Sequence, residues 1–341
     1  MSRLRYIGKR MALSLPVIWL GTTMTWAIIF LGPIDPATRL LSEGQTRDPA
    51  AYEAAQTQLG LDQPPLQHYL DWMAHLITFD LGQTWLLYQG SNVNALILDF
   101  LPRTLWLGFW SVLIAVFVGV PLGFYAGMHS NTAADYTASM GGIVWRAMPN
   151  FWLGIMLLAL LGSTQAIFGF DWQSLWIGLD ALTGSPDLSR LHTVDGFLAA
   201  TKKVLPAAIV LGSASMGNEM RIGRTAVLET KNENYVETAR AKGVPGRKIV
   251  YKHVFRNALI PLVPIITGEA FLLLGGSVLV ETVFSINGLG NLFLRATFAA
   301  DIPVMMSLTF LFIIIQIVFN TLQDLLYTYI DPRIALTDNA E

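Results

Sequence analysis

The chain has 341 residues, 53% of them hydrophobic and 13% charged, with a mean hydropathy of +0.49 and a formal net charge of −2. Apolar residues this abundant, gathered in blocks, leave too little polar surface to cover a water-soluble fold, so the composition is that of an integral membrane protein. The absence of cysteine excludes disulfides, thiolate catalysis and cysteine-ligated metals, and His68, His75, His129, His192 and His253 show no ligand spacing such as H-E-x-x-H.

Arg3, Arg5, Lys9 and Arg10 precede an apolar run from Met11 to about Leu31. At about 1.5 Å per residue that run spans a bilayer and is longer than a usual signal-peptide core, so it reads as a retained first span. The next segment, 32–103, looks folded: Leu66, Tyr69, Leu70, Trp72, Met73 and Leu76 recur at helical spacing, as in a helix lying against the membrane surface or a partner. Further spans are predicted over 104–127, 139–164, 196–217, 258–283 and 303–328. The expected fold is therefore an all-α integral membrane protein with six transmembrane helices. The fourth span begins with Lys202 and Lys203, which would have to snorkel toward an interface.

Charge sets the expected orientation. Segment 218–257 carries Arg221, Arg224, Lys231, Arg240, Lys242, Arg247, Lys248, Lys252 and Arg256, whereas 32–103 carries only Arg39, Arg47 and Arg103 against eight acids. The positive-inside rule puts 218–257 and both termini in the cytoplasm and 32–103 outside, in a multi-pass protein of the cell membrane. The expected organisation is 1–31 as N-terminal residues and first span, 32–103 as an external segment, 104–334 as a five-span core with its loop at 218–257, and 335–341 as a tail.

Within that loop, Asn234 and Glu237 have the spacing of a capping box, Gly243 stands where a helix would end, and Pro245 where another would begin. A solvated basic loop is the plain reading. The punctuation predicts instead helix, glycine corner, helix, with small Ala239 and Ala241 letting another backbone approach.

The stretch "YVETARAKG", residues 235–243, resembles the EAA loop of ABC-importer permeases, with the glutamate, small residues and glycine on Glu237, Ala239 and Gly243 and with Thr238 in place of the family's middle alanine. "TARAKG", a later histidine and "NALIP" resemble the dipeptide and oligopeptide branch. So do "LGLDQPPLQHYLDWM", "FDLGQTW", "LPRTLWLGFW", "GVPLGFYAG", "VLVETVFSINGLGNL" and "DPRI", in that order along nearly the whole chain. Two departures are "GPIDP" at 32–36 for PGDP, and His253-Val254-Phe255-Arg256 where the wider superfamily has I-x-L-P.

The resemblance implies a coupling helix, Glu237, Thr238, Ala239, Arg240, Ala241, Lys242 and Gly243, seated in a groove of a separate ATPase. It also implies a second homologous permease, two cytoplasmic ATPase subunits and an external solute-binding protein delivering a peptide or similar small solute. This chain has no G-x-x-x-x-G-K-[ST], since its only Gly-Lys pair is Gly8-Lys9, so it is expected to be a transport subunit and not the ATPase. No cofactor, metal or nucleic acid is expected; the bilayer is.

Glu269 falls about 18 Å into the fifth span, near the midplane, where an acid faces a cavity or a neighbouring helix. It is a candidate for the translocation path, with an interhelical contact equally open. It also carries the rival reading, a stand-alone ion-coupled transporter with Glu269 as its ion or proton site, which leaves the ordered basic loop without a purpose. An intramembrane hydrolase would need a nucleophile and base together, and none is evident. Arg146 and Asn150 read as helix contacts, Gln316, Asn320 and Gln323 as one polar face, and Gly275-Gly276 as a packing site.

Overall fold

The computed structural model describes residues 3–32, 35–41, 48–262 and 277–330. In chain order its helices are α1 (Arg3–Phe30), α2 (Pro36–Leu40), α3 (Pro49–Gln58), α4 (Pro65–Thr78), α5 (Val93–Ile114), α6 (Val120–Met128), α7 (Ala133–Ala147), α8 (Asn150–Gly162) and α9 (Thr164–Phe168). There follow α10 (Val194–Lys231), α11 (Asn234–Ala241), α12 (Gly246–Lys248), α13 (Arg256–Ala258), α14 (Val278–Val283), α15 (Leu289–Ala299) and α16 (Ile302–Ile330). One β pairing is present among the described residues, an isolated bridge between Gln83 and Asn92.

The chain divides into two compact units. The first comprises residues up to Pro102 together with Asn287–Ile317, the second Arg103–Ile286 and the chain from Val318. In the first, Asp35 and Asp48 cap α2 and α3, each accepting from the N–H two residues on, with a proline opening the helix. Trp26, Ile97, Phe100, Leu292 and Met306 belong to its apolar core. The buried carboxylate of Asp301 accepts from the backbone N–H groups of Trp85, Leu86 and Leu87 at 3.2, 2.9 and 2.8 Å, which fixes the turn before α5 against the start of α16.

Four helical stretches are long and apolar enough to cross a membrane: Ala12–Phe30, Val93–Met128, Val194–Lys231 and Ile302–Leu326. The pair Asp135–Ala147 and Asn150–Gly162, bent by 99°, reaches the same length and apolarity only when taken together, as a broken span or a re-entrant loop. The bend has a local cause, since Pro149 biases the preceding Met148 to extended backbone, where it sits at φ −80° and ψ 131°. The span predicted over 258–283 lies largely outside the described residues, as does Gly275-Gly276.

Two boundaries differ from the sequence reading. The second span starts at Val93 rather than 104, because Asn92 Oδ1 accepts from Ala95 N–H at 3.1 Å and helix runs on through Asp99, Pro102 and Arg103. The fourth continues past 217 to Lys231, so the first third of the basic segment is the end of α10.

In the second unit α6 lies against α10 at unusually close range. Gly119, just before α6, and Gly123 and Gly127 within it recur every fourth residue, and α10 fills the space their side chains would take, by backbone at Gly119 and Gly123 and by Val227 and the Arg224 carbonyl at Gly127. A Cβ at Gly123 would stand 2.5 Å from Met220 O, and one at Gly119 3.0 Å from Met216 O. Valine at Gly123 is expected to force the helices apart at about 1–3 kcal/mol or more. Thermal unfolding of the detergent-solubilised protein checks this, with an unchanged midpoint refuting the tight contact.

Candidate functional site

The basic segment after α10 is an ordered corner. Helix α11 begins after Glu233, whose φ −71° and ψ 143° make it the N-cap, while Asn234 is already helical and no side chain caps the end. The capping box predicted for Asn234 and Glu237 is therefore absent: Asn234 lies one position too far into the helix. At the other end Gly243 adopts φ +73°, its N–H bonding Arg240 O at 2.9 Å, while Val244 N–H bonds Ala239 O at 3.1 Å. Pro245 then precedes α12, and a π-helical stretch, Ile249–Phe255, carries the chain on.

Burial sorts the singled-out residues into two faces. Val236 and Ala239, one turn apart, pack with Ala226 and Val227 of α10 and with Ile249 and Val254. Glu237, Thr238, Arg240, Ala241, Lys242 and Gly243 are exposed. Ala239 thus serves the chain's own core, and Ala241 alone of the two alanines presents a small face outward.

Polar contacts hold this corner to the spans. Arg224 of α10 forms a bidentate pair with the buried Asp135 of α7, at 2.6 and 2.8 Å. Lys231 Nζ donates to Gly127 O and Ser130 Oγ, both at 2.9 Å, joining the end of α10 to the end of α6. Asn257 Nδ2 donates to the Tyr235 hydroxyl at 3.1 Å and to His253 O at 2.8 Å, so α11 is also tied to the chain that follows it. Arg146 donates to Asn218 Oδ1 at 3.2 Å, a helix contact.

Glu269 lies outside the described residues. A different acid, Glu281 of α14, is fully buried and accepts from Thr104 Oγ1 at 2.9 Å and Ser277 Oγ at 2.8 Å. Its position inside "VLVETVF" gave no helical-face signal that would mark it as interior. On α16, Gln316 and Asn320 are exposed and Gln323 is half-buried.

Lys202 and Lys203 do not snorkel. Both are buried, and the segment before α10 folds over them. Lys202 Nζ donates to the carbonyls of Gln173, Leu175 and Ile177 at 3.1, 2.6 and 2.5 Å. Lys203 donates to Ala181 O at 2.7 Å and to Asp180 at 2.9 Å, and this ammonium holds the Asp180 carboxyl below the usual carboxylate range. Three converging carbonyls satisfy all three ammonium donors, which a lipid interface would not do as well. Lys202→Met keeps the stem and removes the donors. It is expected to cost about 1–3 kcal/mol locally and to speed limited proteolysis within 169–193; an unchanged cleavage rate would mean the carbonyls find other donors.

Residues 119–336 match the family described as binding-protein-dependent transport system inner membrane component, and residues 3–108 match its N-terminal membrane component. The oligopeptide transport system permease protein AppB of Bacillus subtilis (strain 168) is 31% identical over 334 residues, covering 96% of this chain and 98% of that protein. The di/tripeptide transport system permease protein DppB of Pseudomonas aeruginosa (strain UCBPP-PA14) is 33% identical over 337 residues, covering 97% and 98%. An inward-facing structure of the MetNI methionine ABC transporter shares the fold over 70% of this chain and 97% of that chain, with a TM-score of 0.53 at 20% identity.

Proposed function

Because the chain belongs to the family of binding-protein-dependent transport inner-membrane components, the permease subunits of ABC importers, we propose that it passes peptides across the membrane and is driven through the corner at Glu237–Gly243. ATP is hydrolysed on a separate partner chain, and the family membership favours this reading over the stand-alone ion-coupled transporter.

The observation that carries the coupling role is the two-faced α11. Its inner face, Val236 and Ala239, is packed into the span bundle, while Glu237, Thr238, Arg240, Ala241 and Lys242 stand free beside a glycine corner. Such an element transmits a push, because it is short, capped and rigidly seated on α10. A flexible basic tail would absorb it. The concentration of bases in 218–257 supports a cytoplasmic location for the corner and for both termini, with 32–103 outside, facing a binding protein.

The assembly we propose has a second homologous permease, two ATPase subunits and an external binding protein. Gln316 and Asn320, both exposed on a membrane-spanning helix, support a second membrane subunit covering that face, since polar side chains avoid lipid. The peptide substrate rests on the relatives' names. Tagged protein extracted in mild detergent is expected to co-purify with a second permease and an ATPase. Recovery of this chain alone, active in ion-driven uptake into liposomes, would overturn the reading.

Gly243→Glu is expected to abolish uptake while leaving membrane insertion intact, because a side chain at φ +73° strains the corner and a new charge meets the ATPase. Gly243→Asn, which tolerates left-handed backbone, is expected to retain most uptake. Equal uptake by the wild type and the Glu variant would remove the coupling role. If Glu269 lines the translocation path, as we propose, Glu269→Gln is expected to alter substrate kinetics; unaltered kinetics would assign it to packing.

A further inference from the structure

The helix α4 has three faces, not two. Tyr69, Trp72 and Leu76 turn into the first unit, and Leu76 is 3% exposed. Gln67, Asp71, His75 and Thr78 form an exposed polar strip. Between these, Leu66, Leu70 and Ile77, spaced so that they share one side of the helix, are 69%, 57% and 75% exposed. In water, a row of apolar side chains this exposed is a liability.

Its neighbours fix the depth at which that row lies. Near one end of α4, the Tyr69 hydroxyl meets Thr23 Oγ1 at 2.7 Å, Trp26 Nε1 donates to His68 Nδ1 at 2.9 Å, and His68 stacks on Phe30 at 4.3 Å between centroids. These partners run from the end of the apolar span of α1 to about 10 Å inside it, counting about 1.5 Å per residue. Just beyond the other end, Phe79 packs on Phe310 at 6.0 Å. Phe310 lies about 12 Å into α16 by the same count. His68, stacked on Phe30, lines one cavity with Ile302 and Met306, and further along Gly21 of α1 faces Ile313 of α16, so the two spans run antiparallel with Phe30 and Ile302 at the same end. Both ends of α4 are thus held at similar depth on two different spans. The helix lies across the spans, parallel to the membrane plane.

We propose that α4 is an interfacial helix whose Leu66, Leu70 and Ile77 row sits among the acyl chains of the leaflet at the Phe30 end of α1. That depth matches the few to ten ångströms at which in-plane amphipathic helices settle. The row continues the exposed apolar surface of α1 at the same level, where Met24, Ile28 and Leu31 are 56%, 69% and 67% exposed. Segment 32–103 therefore has its own hold on the bilayer, independent of a binding protein. The inference rests on α1 being a membrane span, and on neither the peptide substrate nor the coupling role.

The chain contains no cysteine, so single cysteines introduce unique labelling sites in it. Nitroxide labels at positions 66, 70 and 77, and at 67, 71 and 78, are read in the transporter assembled with its partner subunits, their own thiols replaced, in phosphatidylcholine vesicles. Collision with oxygen relative to a water-soluble nickel chelate is expected to be several-fold higher at 66, 70 and 77 than at 67, 71 and 78. Equal access of the nickel chelate to both rows would place the apolar row in water. Screening of 66, 70 and 77 from both reagents would place it under a protein partner. Either result overturns the proposal, and neither touches the reading of the corner at Gly243.

Discussion

The close approach of α6 and α10 is the contact on which the second unit depends. Three glycines at four-residue spacing remove the side chains that would hold two helices at ordinary distance, and α10 occupies that space with its backbone and with Val227. Interhelical van der Waals contact is the main attraction available within a bilayer, because lipid tails are as apolar as the helices themselves. Around this seam the polar groups fall into place: Lys231 reaches Gly127 O at one end, and Arg224 reaches Asp135 on the neighbouring α7. With backbones in contact, little soft material lies between the helices. Displacement of one must move the other, as packed interfaces shift between discrete arrangements rather than deforming smoothly.

That seam bears on the coupling role proposed for the Gly243 corner. Helix α11 is seated through Val236 and Ala239 on Ala226 and Val227, which belong to the last turns of α10. A load applied to the exposed face of α11 therefore passes into α10 and, through the glycines, into α6. The π-helical stretch from Ile249 to Phe255 lies on the far side of the corner, where a widened turn is a common place for a helix to change course.

Three buried charged groups, spread over both units, are each matched inside the chain: Glu281 by two hydroxyls, Lys202 by three carbonyls, Asp301 by three consecutive backbone N–H groups. Glu281 is joined to Thr104, 177 positions away, as well as to the nearby Ser277. Asp301 meets residues more than two hundred positions earlier, and Lys202 closes over the segment that precedes its own helix.

The sequence by itself determined the membrane class, the apolar runs that became spans, the left-handed glycine at 243 and the family that "YVETARAKG" and its flanking motifs mark. These are carried by composition and by neighbours a few residues apart, where local backbone preference and hydrophobicity act directly. Even there, nearby residues misled: Asn234 has the chemistry of a cap, yet Glu233 holds that position because Val236 and Ala239 must turn toward α10. Only the tertiary structure decided that Ala239 faces inward and Ala241 outward, that Lys202 and Lys203 are plugged by carbonyls rather than drawn to an interface, that α5 begins eleven residues before its clean apolar run, and that Gly119, Gly123 and Gly127 form a seam. Apart from the start of α5, set by its local Asn92 cap, the partner is another segment of the chain, and the energy of satisfying a buried charge or filling a gap outweighs the local preference that a sequence displays.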